Sequence, residues 1–245
     1  MQPGYAQLSV AFAFNYTPVI QNVISLFFPP VCSGCDGLLT AGEVAICAAC
    51  RHNLPLTNFH LLKDNEAFGK FYGRIPVEHV SALCYYHKKG IVQQMIQQLK
   101  YRGQEAVGRQ LGLFYGHLLR DSPTFLVPDA IVPVPLHKRR LRQRGYNQVM
   151  EYAHALSEVL EIPVRGDLLS RVVYAKTQTR KNLFQRALSH SEIFQANFTE
   201  RDHGMHLLVV DDVITTGATL EGCGRALLKI PRSRISIACM AYAHS

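Results

Sequence analysis

Asp211 and Asp212 stand side by side behind an apolar run, Leu207–Val210. After them come Val213, Ile214, Thr215, Thr216, Gly217, Ala218 and Thr219. A buried strand, an acidic pair, a small hydroxyl-rich turn and a following helix are the parts of a site for a phosphorylated sugar. Backbone N–H groups at a helix N-terminus favour an anion. Three Thr hydroxyls can donate to it, and one glycine lets a monophosphate approach closely. The two carboxylates would repel that phosphate, so they suit the hydroxyls of a sugar or a divalent cation held near them. A strand followed by a helix N-capped by Asp and Thr is the plainer reading. Capping, however, calls neither for paired acids nor for three threonines together.

Four cysteines make the second pattern. Cys32-x2-Cys35 and Cys47-x2-Cys50 are separated by 11 residues, and four thiolates on two tight knuckles match tetrahedral Zn²⁺ in a structural role. A redox pair, or His52 replacing Cys50 as fourth ligand, are the alternatives. Cys84, Cys223 and Cys239 fall in predicted strands or a helix and read as small core residues. Seven cysteines are too few for a disulfide framework at this length. CxxC pairs favour metal ligation in a reducing, cytoplasmic setting.

Charge supplies the third signal. The chain has 245 residues and a net charge of +8, which points to an anionic partner. Residues 130–190 hold eleven Lys and Arg against four Asp and Glu, so nearly all of the excess is local. One focus is Pro133–Gln148, with Lys138, Arg139 and Arg144. The other is Lys176–Arg186, with Arg180 and Lys181. Charge-assisted bonds from such residues suit a pyrophosphate, and a mobile basic loop could close over a phosphate ester. The same residues also read as a solvated basic face, or as a groove for single-stranded nucleic acid with Tyr146 or Phe184 as a stacking platform.

These residues must be carried by something. Hydrophobic residues make up 48 % of the chain, enough for a core and too many for a disordered chain. Strands are predicted at Val80–Tyr86, Ala130–Val134, Leu168–Tyr174, Ile193–Phe198, Leu207–Val210 and Ile235–Met240. Helices are predicted at Ile91–Leu99, Ala106–Leu119, Asn147–Leu160 and Gly217–Lys229. Strands alternating with helices, several without polar alternation, imply a mostly parallel α/β sheet buried on both faces. Residues 1–78 read as an apolar lead-in, a zinc-ribbon-like module and a turn-rich linker, and residues 79–245 as the main domain. The lead-in (Phe12, Phe14, Tyr16, Phe27, Phe28) lacks Lys and Arg. It therefore has no signal-peptide n-region and reads as packing on the body, with peripheral membrane contact as the alternative. No apolar run of 18 residues exists to span a bilayer.

The Asp-Asp-turn string resembles the signature of the type I phosphoribosyltransferases. That resemblance implies that Asp211 and Asp212 hold the ribose of phosphoribosyl pyrophosphate (PRPP). Val210 to Asp212 and Thr215 to Thr219 would form its site, and Mg²⁺ would chelate the pyrophosphate. The wording of VPVPLHKRRLRQRGYNQ, KTQTRKNLFQR and VVDDVITTGAT, preceded by CxxC pairs, is more selective. It resembles the ComF/GntX family, phosphoribosyltransferase-like proteins associated with competence, and Lys100-Tyr101-Arg102-Gly103 fits that family's pattern too. The family implies a zinc-ribbon segment, PRPP or a related sugar phosphate as ligand, and a role in DNA uptake. Single-stranded DNA and proteins of the uptake machinery are then candidate partners. Two functions stay open: a binding module, and an active phosphoribosyltransferase whose acceptor is unreadable, since only Ala241–Ser245 follow the last predicted strand.

Overall fold

The computed structural model describes residues 29–172 and 193–244. The apolar lead-in up to Phe28 and the second basic segment, with Arg180 and Lys181, lie outside them. The strands are β1 (His79–Tyr85), β2 (Ala130–Pro133), β3 (Leu169–Arg171), β4 (Phe194–Ala196), β5 (His206–Ile214) and β6 (Arg234–Tyr242). The helices are α1 (Ala48–His52), α2 (Glu66–Gly69), α3 (Ile91–Tyr101), α4 (Glu105–Arg120), α5 (Lys138–Arg144), α6 (Met150–Leu160) and α7 (Ala218–Leu227).

The uninterrupted apolar run of β5 forms the middle of a parallel sheet ordered β1-β6-β5-β2. Side chains alternate across a strand, so β5 feeds two cores. Leu208 and Val210 enter the core shared with α3, α4 and α6, while Leu207 and Val209 enter the one shared with α7. The strand runs past the predicted end at Val210 because β6 stays paired with it, Cys239 opposite Asp211 and Tyr242 opposite Ile214. Both carboxylates are therefore part of the strand.

On the first face α4 lies tight against α6. A Cβ at Gly112 would stand 2.7 Å from the Cβ of Ala155, and one at Gly116 2.8 Å from that of Val159. Only glycine permits this approach. Close packing of α6 is what brings Gln148, just before it, under the end of β5.

The four-cysteine segment joins the same core: Cys32, Ile46, Cys50 and Leu54 are buried with Met95 and Leu99 of α3. Residues 55–57 then run antiparallel along the free edge of β1. Thr57 N–H donates to the Leu83 carbonyl (3.0 Å) and Tyr85 N–H to that of Pro55 (2.8 Å), which covers an otherwise open edge.

Two predictions are corrected. The strands expected near 168–174 and 193–198 do not join the parallel sheet; β3 and β4 pair antiparallel by themselves. Residues 138–144, outside every predicted helix, form the helix α5. Its Lys, Arg, Leu and Gln are strong helix formers. The His137 ring Nδ1 accepts from Arg139 N–H (3.1 Å) at its start, and Gly145, at φ +81°, closes it. Among the described residues no helix is long and apolar enough to cross a membrane.

Candidate functional site

In a parallel sheet the carboxyl ends of the strands share one edge, and ligands bind beyond it. Here β2 ends at Pro133, opposite Val210 of β5, which runs on to Ile214. The residues that follow line a cavity of about 700 Å³. Asp211, Asp212, Thr215 and Thr219 form one wall, and Arg140, Gln143 and Arg144 of the first basic segment another.

The acidic pair straddles the sheet. Oδ2 of Asp212 meets Nζ of Lys100 at 2.9 Å and accepts from Nε2 of Gln148 at 2.9 Å, both on the face of α3 and α6. Asp211 lies on the opposite face, within electrostatic reach of Arg171 and of the buried Cys223. Its Oδ1 accepts the N–H of Asp212 (2.9 Å). Burial, together with the neighbouring Asp212 carboxylate, pushes Asp211 up to about 8. The shift favours its protonated form, in which it would oppose a bound phosphate less.

The turn Thr215–Thr219 is braced from outside. Gly217 is left-handed at φ +77°, and a Cβ there would stand 3.1 Å from the ring of Phe71. The Arg74 guanidinium donates to the Thr216 carbonyl and to that of Lys70, both at 2.9 Å, and pairs with Glu221 of α7. Thr215 and Thr219 face the cavity. Thr216, Gly217 and Ala218 do not line it; they shape the turn, with Thr216 Oγ1 accepting from Ala218 N–H (3.4 Å). Val210 is fully buried and backs the site, its carbonyl accepting Val134 N–H (3.0 Å).

Of the basic residues singled out, Arg144 lines the cavity, while Lys138 and Arg139 are exposed on α5 outside it. Arg140 and Gln148 of the same basic segment, Lys100 of the Lys100–Gly103 string, and Arg171, which belongs to none of the quoted motifs, also line it. Arg171 is carried in by β3, its guanidinium 5.4 Å from the Phe194 ring centroid on β4. Val172 N–H donates to the Ile193 carbonyl (2.8 Å), extending the pairing by one residue beyond Arg171. The Tyr146 hydroxyl donates to the Leu99 carbonyl and ties the basic segment to α3, and the residue lines the cavity. The exposed ring at the cavity mouth is Tyr101, 71 % accessible, with the Arg144 guanidinium 5.1 Å from its centroid.

The four knuckle thiols come together as expected, with all sulfurs within 4.8 Å of one another. Cys35 and Cys47 are 3.8 Å apart, close to the ~3.8 Å edge of a tetrahedron with ~2.3 Å metal–sulfur bonds. The Cys32 sulfur accepts the N–H of Gly34 and of Cys47, each at 3.3 Å. Burial opposes its ionisation, yet these N–H bonds bring it down to about 7. Such donors favour a thiolate able to ligate. Cys84, Cys223 and Cys239 are buried core residues.

No protein-family model matches the chain. It is 28 % identical over 235 residues to competence protein F of Haemophilus influenzae, covering 89 % of this chain and 99 % of that one. The chain is a homologue of the ComF proteins. Competence protein ComFC of Bacillus subtilis is 32 % identical to it over 59 % of this chain and 56 % of that one. The DNA utilization protein YhgH of Escherichia coli K12 is 27 % identical over 88 % and 98 %. Among solved structures, the glutamine PRPP amidotransferase of B. subtilis, complexed with ADP and GMP, matches this chain with a TM-score of 0.42 at 15 % identity. That match covers 59 % of this chain and 30 % of the other.

Proposed function

We propose that this ComF-type chain binds PRPP with Mg²⁺ in the cavity at the end of β5 and acts in the uptake and use of DNA. The observation that carries the reading is the convergence on one cavity of Asp211 and Asp212, the Thr215 and Thr219 hydroxyls, and the guanidinium groups of Arg140, Arg144 and Arg171. The carboxyl groups suit ribose hydroxyls and the turn suits the 5-phosphate. The arginines suit a pyrophosphate, which is the group that would carry Mg²⁺. The names of its homologues, competence and DNA utilization, support the biological role. Lys138 and Arg139, exposed outside the cavity, suit the phosphates of single-stranded DNA or an acidic partner of the uptake machinery.

The four thiolates suit one structural zinc ion, because a closed set of four sulfurs leaves no position for a substrate. Thermal shift with PRPP and Mg²⁺ tests the binding. A stabilisation that Asp212→Asn loses supports the site; none in the wild type overturns it. Turnover is a separate measurement, pyrophosphate release in the presence of candidate acceptors. In that reaction the bond from the anomeric carbon to pyrophosphate breaks, a bond to the acceptor forms, and pyrophosphate leaves with the electron pair. Binding without release assigns the chain to the ligand-binding class rather than the transferases.

A further inference from the structure

Gln148 closes the first basic segment, just before α6. Its side chain is buried and its amide lies between two charged groups. Nη1 of Arg144 donates to Oε1 of Gln148 at 2.7 Å, and Nε2 of Gln148 donates to Oδ2 of Asp212 at 2.9 Å. A guanidinium can only donate, and an ionised carboxylate can only accept. One orientation of the amide satisfies both, and Gln148 holds that orientation. Lys100 approaches the same Asp212 oxygen at 2.9 Å. Among the described residues both side-chain contacts of Asp212 fall on Oδ2, and Oδ1 is the oxygen available to a ligand.

The two ends of this link differ in firmness. Asp212 lies within β5, whose neighbouring residues Asp211 and Val213 pair with β6. Gln148 is held by its own neighbours: Val149 is fully buried, and Nδ2 of Asn147 donates to the Val134 carbonyl at 3.1 Å. Arg144 instead stands at the end of α5, which buries none of its residues. A guanidinium has several N–H donors, so Arg144 can hold Gln148 with one and a phosphate with others. An anion that immobilises Arg144 also immobilises the amide, and the amide orients the Asp212 carboxylate.

We propose that Gln148 is a positioning residue that couples the two halves of the cavity. An anion held by Arg144 tightens the grip of Asp212 on a sugar, and a sugar on Asp212 tightens the grip of Arg144 on the anion. Coupling between two binding sites is reciprocal by thermodynamic necessity. The link rewards simultaneous occupation, so it favours a ligand carrying sugar and pyrophosphate together over either alone. The assignment of the two halves rests on the sugar-phosphate reading of this cavity.

Two probes occupy the halves separately. One is magnesium pyrophosphate. The other is 1,4-anhydroribitol 5-phosphate, a ribose 5-phosphate without the anomeric oxygen, which leaves room for pyrophosphate beside it. Calorimetry gives the affinity of the full chain for each, alone and with the other saturating. In the wild type each should bind about fivefold more tightly in the presence of the other, the lower end of typical coupling. Gln148→Met, similar in length but without the amide, should bind each probe alone and lose that factor. Arg144→Met cuts the same link from its more exposed end. It weakens pyrophosphate by itself, but the coupling is what is read, and it too should be lost. Circular dichroism shows which variants fold, and Arg144→Met decides the matter if Gln148→Met does not.

Both probes bound by the wild type without coupling overturn the link and leave the sugar-phosphate reading standing. A folded Gln148→Met that is less stable yet keeps the coupling makes the residue structural and also overturns the link. A wild type that binds neither probe overturns the sugar-phosphate reading, and the link falls with it.

Discussion

Lys100, in the last turn of α3, places its ammonium 2.9 Å from the Asp212 carboxylate at the end of β5. Asp212 is nearly buried and Lys100 about one-quarter exposed, so the pair sits between a solvated and a desolvated ion pair. Removing one partner of a buried pair strands the other charge. Lys100→Met should cost about 1–3 kcal/mol, the buried-pair figure reduced for the exposure of the lysine. The double variant Lys100→Met/Asp212→Asn should recover part of that loss. Urea unfolding midpoints at constant slope measure both; equal stability of Lys100→Met and wild type would show that the contact contributes nothing.

The raised pKa of Asp211 makes a pH-dependent contribution of definite sign. A carboxyl held near 8 in the folded chain and at its ordinary value near 4 when unfolded binds more protons folded than unfolded between those limits. Its contribution is full below about pH 4, falls as pH rises through 8, and is flat above. Thermal midpoints of wild type should therefore decline from pH 5 to 8 relative to Asp211→Asn. Parallel curves would place the ordinary pKa back on Asp211.

Arg74 holds the turn Thr215–Thr219 without entering the cavity, since its guanidinium ends on Thr216 and Glu221. Arg74→Ala should weaken ribose 5-phosphate binding about tenfold, the scale of a lost charge-assisted bond acting through the turn, and leave inorganic pyrophosphate binding unchanged. Calorimetry with both ligands decides it. Equal loss of both would mean a general structural defect.

Zinc should be present at about one ion per chain, the count for one four-thiolate site. Titration with a mercurial thiol reagent should release it. Because Cys32 and Cys50 are packed against the α3 core, release should lower the melting midpoint of the whole fold. Atomic absorption and melting curves check both, and a fully folded chain without metal would remove the ion from the structure's support.

The local patterns were legible in the sequence. The Leu207–Val210 run, the Asp-Thr turn and the paired CxxC knuckles each lie within a few residues, so spacing alone shows what they can do. The residues that complete the site arrive from far away. Lys100 comes from the end of α3, Gln148 from the approach to α6, and Arg171 from a hairpin whose antiparallel pairing no periodicity specifies. Arg74 was hidden in a stretch that reads as a linker, because its role exists only once α7 is packed beside it. The separation of Asp211 and Asp212 onto two faces follows from strand alternation, yet it stays invisible until β5 is seen to continue past Val210.

The helix α5 buries none of its residues. Seven residues in isolation are too few to hold helical structure in water, so this segment keeps its shape through its two caps and through Tyr146 and Arg144 at its far end, where Nη1 of Arg144 donates to Gln148 Oε1 at 2.7 Å. A pyrophosphate bound there would order the helix as well as make a charge contact. Its calorimetric signature should be a favourable enthalpy opposed by entropy, and amide exchange across 138–144 should slow when the anion is bound.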